Sequence, residues 1–260
     1  MKVEDVMTKE IITVDKDQDL KHVLTLMEKH DITKIPVLEE KKIVGVITDN
    51  VIAYKLGSIR NKGIPASRMH ASSVVDDKFE KTEPETELKS ILTKVGEPGP
   101  TMINVVKNDE LLGVVTKADL LPYVDSKEKI RAIMKKDVHT VNTDDRVVHA
   151  RRIMIDNDIA RIPVKFDGEL VGIISDMDIA FAFADLKDSV SLGKQKHHLD
   201  KLLVEKTMKT PALYISPDTS IKKSSEIMLE NNVGCLPVVE SGKIVGIVTR
   251  TDLLKTISSF

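Results

Sequence analysis

A short phrase that recurs four times along the 260 residues constrains this chain more than any other feature. Each copy has a hydrophobic residue, a proline or its replacement, and a valine. A glycine follows nine residues after the proline position, and a Thr or Ser three residues later. The copies are Ile35-Pro36-Val37 with Gly45 and Thr48, Ile103-Asn104-Val105 with Gly113 and Thr116, Ile162-Pro163-Val164 with Gly172 and Ser175, and Leu236-Pro237-Val238 with Gly246 and Thr249. Fixed spacing in four copies predicts a repeat architecture.

The repeat extends upstream to a methionine that closes a short amphipathic lead-in. Met7, Met134 and Met208 each stand 29 residues before the proline position, whereas in the second copy Met69 stands 35 residues before it. Apolar residues at a predicted helix start lie 16 residues before that position in every copy: Leu20, Leu88, Val147 and Ile221. The difference predicts an enlarged loop in the second copy, around residues 74–83.

Each copy predicts the same series of elements, as the first copy illustrates. An extended stretch at residues 11–14 precedes apolar residues at helical spacing from Leu20 to Met27. Two β-branched runs, 34–38 and 43–48, are joined by a charged turn that suits a hairpin. A second helix follows the Thr or Ser. The unit is therefore β-α-β-β-α, and its half-buried sheet requires a partner, so the copies are expected to pair.

These residues resemble CBS domains, small ligand-binding modules that occur in tandem and pair into a pseudo-twofold Bateman module. The resemblance covers the chain from about Val3 to Ile257. It implies an α+β fold of four β-α-β-β-α CBS repeats, at 1–58, 67–124, 128–185 and 202–258. Repeats one and two are expected to form one module, and repeats three and four the other.

Composition narrows the class of protein. The formal net charge of −2 provides no overall basic field for nucleic acid, and no apolar stretch is long enough to cross a bilayer. The first five residues include two acids and lack the apolar core of a signal peptide. A single cysteine, Cys235, has no partner for an internal disulfide. We therefore expect a cytoplasmic protein, and since the repeats take up the chain we expect no enzyme within it.

The segment from the glycine of the repeated phrase to the start of the second helix suggests a binding site. It places a hydroxyl and backbone N–H groups where a strand ends and a helix begins, which favours an anion. An Asp three residues later can accept hydrogen bonds from the two hydroxyls of a ribose. The pairs are Thr116 with Asp119, Ser175 with Asp178, and Thr249 with Asp252. A single such pair is commonly only a helix cap, but three at one register favour a site.

In the CBS family, this pair holds the phosphate and ribose of an adenosine-type ligand, and residues near Pro-Val and on the first strand frame the base. Carried over by this resemblance, copy three supplies Thr140, Arg161, Ile162, Pro163, Ser175 and Asp178. Copy four supplies Cys235, Leu236, Pro237, Thr249, Arg250 and Asp252, and copy two supplies Thr116 and Asp119. Arg161 and Arg250 are expected either to bond phosphate or to be solvated surface residues.

Two copies depart from the pattern. Copy one has Val51 where the ribose Asp belongs, and Asp49, two positions earlier, is expected to face a different direction. Copy two has Asn104 in place of proline and Lys81 at the first-strand Thr position. The module formed by copies three and four is therefore the better ligand site. Copy four itself has Tyr214 at the first-strand position.

The sequence thus favours a regulatory sensor that binds AMP, ADP or ATP between paired repeats and signals to a partner protein that it does not identify. The adenine nucleotide is a regulatory ligand, and no cofactor or metal is required; His197, His198 and Asp200 are read as solvated linker residues. Three alternatives stay open: an S-adenosylmethionine-type ligand, a scaffold with partly inactive sites, and a nucleic-acid adaptor. The two modules are expected to form a monomeric disc or a homodimer.

Overall fold

Each copy of the repeat folds into the predicted helix, hairpin and second helix in a computed structural model that describes residues 1–57, 64–97, 101–190 and 194–257. Copy one contains β1 (Val14–Asp15), α1 (Leu20–Lys29), β2 (Lys34–Glu39), β3 (Lys42–Thr48) and α2 (Asp49–Gly57). Copy two contains β4 (Glu80–Thr82), α3 (Leu88–Val95), β5 (Met102–Lys107), β6 (Glu110–Thr116) and α4 (Lys117–Leu120).

Copy three follows the same order, whereas in copy four the first strand is reduced to a single bridge between Ile215 and Val238. Copy three contains β7 (Val141–Asn142), α5 (Val147–Asn157), β8 (Arg161–Phe166), β9 (Glu169–Ser175) and α6 (Asp176–Ser189). A further helix, α7 (Gln195–Lys201), lies in the connection between copies three and four and packs on α5 and α6. Copy four contains α8 (Ile221–Glu230), β10 (Cys235–Glu240), β11 (Lys243–Thr249) and α9 (Arg250–Leu254). The first helix of each copy begins at the apolar residue that the spacing indicated.

Strand pairing joins the copies two by two. The hairpins of copies one and two form one sheet in the order β1-β2-β3-β6-β5-β4, in which Lys42 of β3 lies opposite Glu110 of β6. Bridges from each lead-in to the second hairpin strand of the neighbouring copy reinforce this pairing. These bridges are Thr8 to Val114 and Val46 to Asp76 between copies one and two, and Lys135 to Ile247 and Ile173 to Lys209 between copies three and four. The four repeats are thus paired into two modules of the predicted kind.

Helix packing joins the two modules. One hydrophobic core cluster combines helices of copies one and three, and the other combines helices of copies two and four. Helix α2 packs along α6, and α4 contacts α9. Fully buried members include Leu20, Ile52, Val147 and Phe183 in the first cluster and Leu88, Leu120, Ile221 and Leu253 in the second. Burial of each large side chain stabilises the fold by about 1.5–3 kcal/mol. Together, strand pairing and helix packing close the four repeats into a ring in the order one, two, four, three.

The expectation of an enlarged loop in copy two is wrong, because Met69 is not the counterpart of Met7. Val75 stands 29 residues before Asn104, the spacing of the other copies. Val75 lies against Gly45 of copy one as Met7 lies against Gly113 of copy two. The methionine positions predicted the wrong counterpart in copy two, because a valine makes the same contact there.

Close approach at these glycines yields a prediction. Gly45→Ala is expected to lower the free energy of unfolding by about 1–3 kcal/mol, because an added methyl group would overpack the module interface. Its Cβ would lie 2.6 Å from the main-chain oxygen of Asp76, which cannot turn away. Gly113→Ala is the matched control with a smaller cost, since its nearest neighbour is the flexible Met7 side chain, with Sδ at 2.6 Å. Urea denaturation of both variants measures the difference, and a larger loss for Gly113→Ala would contradict this account.

Candidate functional site

All four repeats line one cavity at the centre of the ring, with a volume of about 1330 Å³. Its wall is built where the first hairpin strand of each repeat begins and where the second helix begins. These two places are neighbours because the hairpin register sets them opposite each other, as in Lys34 to Thr48 and Arg161 to Ser175. The repeat therefore contributes two facing positions to the cavity in each copy.

From one copy to the next along the chain, the cation alternates between these two positions. At the strand position, the four copies carry Lys34, Met102, Arg161 and Cys235 in turn. At the first residue of the second helix, they carry Asp49, Lys117, Asp176 and Arg250. All eight residues line the cavity. Each repeat therefore brings one cation to the centre, and copies one and three each add a carboxylate.

Lys34, Lys117 and Arg250 are perturbed by burial and by other cations of the centre. The pKa of Lys34 is lowered to about 8, chiefly by burial and also by the positive charges of Arg161 and Arg250, while Asp49 opposes the shift. Burial also lowers the pKa of Lys117 to about 8, with a contribution from Lys34. The pKa of Arg250 falls to about 10 through burial and the repulsion of Arg161. A protein that holds cations together in this way has a centre prepared for an anion.

Hydrogen bonds fix two of these cations in position. Lys117 Nζ donates to Thr251 Oγ1 of copy four at 2.6 Å and to the main-chain oxygen of Glu97 at 2.5 Å. Arg250 Nη2 donates to Asn232 Oδ1 at 2.9 Å, and Arg250 Nε donates to the main-chain oxygen of Val233 at 3.2 Å. Both arrangements keep the charge at the cavity while neutral groups satisfy its donors.

Contacts between copies continue outward from Arg250 and Arg161. The amide Nδ2 of Asn232 donates to Asp31 Oδ2 of copy one at 2.7 Å, which ties copy four to copy one. The Arg161 guanidinium lies over Gly234, where an added Cβ would meet its Cζ at 2.8 Å. A glycine at 234 therefore makes room for the arginine of the neighbouring repeat.

The two carboxylates of the centre are strongly perturbed. The pKa of Asp176 is raised to about 7, chiefly by burial and also by the charge of Asp49, while Arg151 and Arg161 act in the opposite direction. Burial likewise raises the pKa of Asp49 against the influence of Arg161 and Lys34. Both side chains are 7% exposed. Their charge opposes an anion in the same cavity unless a proton or a cation neutralises it.

The three predicted hydroxyl–carboxylate pairs share one geometry. In each, Oδ2 of the Asp accepts hydrogen bonds from the main-chain nitrogen and the hydroxyl of the Thr or Ser at 2.5–2.9 Å. This arrangement caps the second helix. The other oxygen, Oδ1, faces the paired repeat in each case: Thr8 at Asp119, Lys209 at Asp178 and Lys135 at Asp252. The Asp therefore both caps the helix and presents an oxygen toward the neighbouring copy.

The structure brings most of the predicted site residues to the cavity. Those that line it are Arg161, Pro163, Ser175, Asp178, Cys235, Thr249, Arg250, Thr116 and Asp119. The side chains of Ile162 and Leu236 are fully buried in the two cores instead. Thr140, Pro237 and Asp252 are not among the lining residues. Of the two alternatives for the arginines, Arg161 and Arg250 take the cavity position and are half-buried.

Sequence reasoning did not identify Lys34, Lys117, Asp176 or Asp49 as residues of the centre. It compared the copies only at positions where they agree, whereas the charged residues of the centre occupy positions where the copies differ. Asp49 was expected to face a different direction from the ribose position that Val51 holds, and both residues line the cavity. Comparing the residues two before the proline position and one after the Thr or Ser would have revealed the alternation.

Three further sequence features concern Asn104, a possible metal site and a possible membrane span. The amide Nδ2 of Asn104 donates to the main-chain oxygen of Glu80 at 3.1 Å, which links this unusual residue to the first strand of its own copy. Among the residues that the structure describes, no three His, Cys, Asp or Glu side chains are grouped to hold a metal. The side chain of His197 lies outside the described part. Over the same described ranges, no helix is long and apolar enough to span a bilayer.

The family follows from the fold together with a sequence comparison. The family model of the CBS domain matches residues 3–57, 130–185 and 204–259, well over half of the chain. The chain therefore belongs to the CBS domain family. The matched ranges leave out copy two, which nevertheless has the elements of the other copies.

Two archaeal proteins resemble the chain over nearly its full length. Uncharacterized protein MJ1404 of Methanocaldococcus jannaschii is 26% identical over 98% of this chain, which spans 62% of that protein. Uncharacterized protein MJ1225 of the same organism is 28% identical, with 95% of each covered. The chain thus spans less than two thirds of the first relative and nearly all of the second.

Solved structures show the same fold. The crystal structure of MJ1225, which has been proposed as an archaeal homologue of g-AMPK, matches with a TM-score of 0.84 at 24% identity, covering 99% of this chain and 100% of that one. A conserved uncharacterized protein of Pyrococcus horikoshii matches with a TM-score of 0.60 at 18% identity, with the same coverage. At these identities the likeness establishes the tandem arrangement of CBS domain pairs.

Proposed function

We propose that this protein senses adenine nucleotides by binding AMP, ADP or ATP in the central cavity. The observation that carries the proposal is the convergence of one cation from each repeat, Lys34, Lys117, Arg161 and Arg250, beside the hydroxyl–carboxylate pairs. Phosphates placed among these cations relieve their mutual repulsion, which gives binding a favourable electrostatic contribution. The ribose then lies in the module of copies three and four, at Asp178, which lines the cavity, or at Asp252, whose partner Thr249 lines it.

The cation arrangement favours a phosphate ligand over an adenosyl sulfonium. A sulfonium ligand would be favoured if Arg161 and Arg250 pointed away from the cavity, but both line it. Asp49 and Asp176 are the feature that supports a cationic group instead, since both are buried at the cavity wall. S-adenosylmethionine is therefore the second ligand to test.

Signalling to a partner protein follows from where the ligand would bind. The cavity wall comes from both modules, so a bound nucleotide would alter their relative packing. If the nucleotide raises the affinity of the protein for its partner by some factor, then by linkage the partner raises the affinity for the nucleotide by that same factor. In this proposal the protein acts in the cytoplasm. It regulates a partner protein and is not an enzyme.

A thermal-shift panel tests the ligand class. Protein freed of small molecules by unfolding and refolding is melted with AMP, ADP, ATP, GTP and S-adenosylmethionine. A ligand that binds only the folded state at 100 times its Kd stabilises it by about 2.7 kcal/mol, which raises the melting temperature by several degrees. We expect adenine nucleotides to do so, and the shift to fall when Asp178→Ala and Asp252→Ala are combined.

The control for this panel is Asp156→Ala, at an exposed carboxylate on α5 outside the cavity. It should leave the nucleotide shift intact. The proposal is abandoned if none of the adenine nucleotides shifts the melting temperature, and a scaffold role then becomes the better account. A shift with S-adenosylmethionine alone would replace phosphate by sulfonium as the ligand class.

A further inference from the structure

Each of the three ribose-type carboxylates, Asp119, Asp178 and Asp252, has its Oδ1 toward one residue of the paired repeat. That residue is the one after the lead-in Met, and we call it the facing residue: Thr8, Lys209 and Lys135 in turn. The equivalent residue for copy one is Asp76, which follows Val75. Their equivalence does not rest on sequence similarity. Each forms the bridge that joins its lead-in to the second hairpin strand of the neighbouring copy.

In copy two, the facing residue is already hydrogen-bonded to the carboxylate. Thr8 Oγ1 donates a hydrogen bond to Asp119 Oδ1 at 2.7 Å, while Oδ2 accepts from both donors of Thr116. Each oxygen of Asp119 therefore has a partner within the protein. A ribose hydroxyl that takes the position of Thr8 Oγ1 at Asp119 Oδ1 must displace it, and that exchange gains no hydrogen bond.

In copies three and four, the facing residue leaves a gap. Lys209 Nζ lies 3.9 Å from Asp178 Oδ1, and Lys135 Nζ lies 3.7 Å from Asp252 Oδ1. Both distances are too long for a direct hydrogen bond. An oxygen placed about 2.7–2.9 Å from both atoms would close the triangle, donating to the carboxylate and accepting from the ammonium. A sugar hydroxyl is both donor and acceptor, so it fits this position.

Copy one offers neither arrangement. Val51 replaces the carboxylate, and the facing residue is Asp76, whose Oδ1 accepts from the main-chain nitrogen of Lys78 at 2.9 Å. In copy one, the carboxylate therefore stands on the lead-in, at Asp76, and not on the second helix. The four copies therefore represent three states of one site: open in copies three and four, closed in copy two and altered in copy one.

We propose that the facing residue of the paired repeat decides which sites accept a ribose. Lys135 and Lys209 hold a ribose hydroxyl against Asp252 and Asp178, and Thr8 acts as a latch that closes the site at Asp119. This inference rests on the proposed function and adds to it the number of sites and the residues that select ribose. It also means that ligand bound at copy three or four connects both repeats of its module.

Isothermal titration of the full chain with ADP tests the latch. The wild type is expected to bind ADP at the open sites, and Thr8→Ala to bind one further ADP because Asp119 Oδ1 becomes available. Thr8→Val is a second variant that removes the same hydroxyl while keeping the branched shape. Melting curves of both variants report whether the lead-in stays folded.

The lysines are tested by the preference for ribose. The affinity for ADP is compared with that for 2′-deoxy-ADP and 3′-deoxy-ADP in wild type, Lys135→Met and Lys209→Met. Loss of a charge-assisted hydrogen bond should reduce the preference for ADP by about tenfold at the altered site. The matched control is Lys136→Met, whose exposed lysine adjoins Lys135 but does not line the cavity.

The outcomes separate this inference from the proposed function. A wild type that binds no adenine nucleotide overturns both. A wild type that binds ADP, with unchanged stoichiometry in Thr8→Ala and unchanged ribose preference in both lysine variants, overturns this inference alone. A loss of stability without a change in ribose preference would likewise assign the lysines a structural role only.

Discussion

Replacing Lys34 with methionine is expected to raise the melting temperature of the unliganded protein and, in the same variant, to weaken nucleotide binding about tenfold or more. The two effects have opposite signs because burial and the charges of Arg161 and Arg250 disfavour the charged form of Lys34, against the attraction of Asp49, until phosphate arrives. Methionine is a conservative choice, since Met102 fills the equivalent position in copy two. The melting temperature should rise by about 2–4 °C for each kcal/mol of repulsion relieved. Thermal melts and ADP titrations measure the two effects.

The pH dependence gives the Lys34 prediction a second readout. With its folded-state pKa at about 8, Lys34 loses its proton earlier in the folded protein than in the unfolded chain, where the value is 10.5. Between these values the unfolded chain binds more protons, so the wild type gains stability as the pH rises. The advantage of Lys34→Met should therefore shrink above pH 8. Lys222→Met, at an exposed position on α8, is the control that should change neither stability nor affinity; a less stable Lys34→Met with full affinity would refute the assignment.

Asp176→Asn is expected to stabilise the protein at pH 8 by on the order of a few kcal/mol. Burial and the charge of Asp49 raise the pKa of Asp176 to about 7, so the folded protein keeps a proton that the unfolded chain releases near 3.8. Between these values the folded state binds more protons, and stability falls as the pH rises toward 7. Asparagine cannot ionise and escapes this loss. Urea denaturation of wild type and variant from pH 4 to pH 8 measures the difference, which should vanish toward pH 4.

Asp156→Asn is the control for Asp176→Asn, because its carboxylate is exposed on α5. It should track the wild type within about 0.5 kcal/mol at every pH. If Asp176→Asn were less stable than the wild type at pH 8, the carboxylate would have a favourable partner in the folded protein, and the description of the centre would have to change. The same variant should also bind ADP more tightly at pH 8, since a negative charge has left the cavity.

The fold was accessible from the sequence because each copy encodes it locally. Four helices begin at the residues that the spacing indicated, and the hairpins formed where β-branched runs flank a charged turn. Repetition made this possible, since an error in one copy is corrected by the other three. The one misplaced segment, around Met69 and Val75, shows the limit: a contact satisfied equally by Met and Val left no signal in residue identity.

The site was accessible only in part. The Ser175–Asp178 and Thr249–Asp252 pairs were found because their geometry is local, spanning three residues of one helix start. Lys34 and Lys117 were missed because the contacts that place them at the centre involve other repeats. Arg161 lies more than 80 positions from Lys34 along the chain, and Thr251 lies more than 80 positions from Lys117.

The sequence by itself determined the repeat, its elements and the hydroxyl–carboxylate pairs, since hydrophobic periodicity and capping act over a few residues. Tertiary structure decided which charges meet. Lys34, Lys117, Arg161 and Arg250 converge because strand pairing joins copies one to two and three to four, while helix packing joins one to three and two to four. Electrostatic interaction depends on distance in space and on burial, and neither is written in the spacing of residues along a chain.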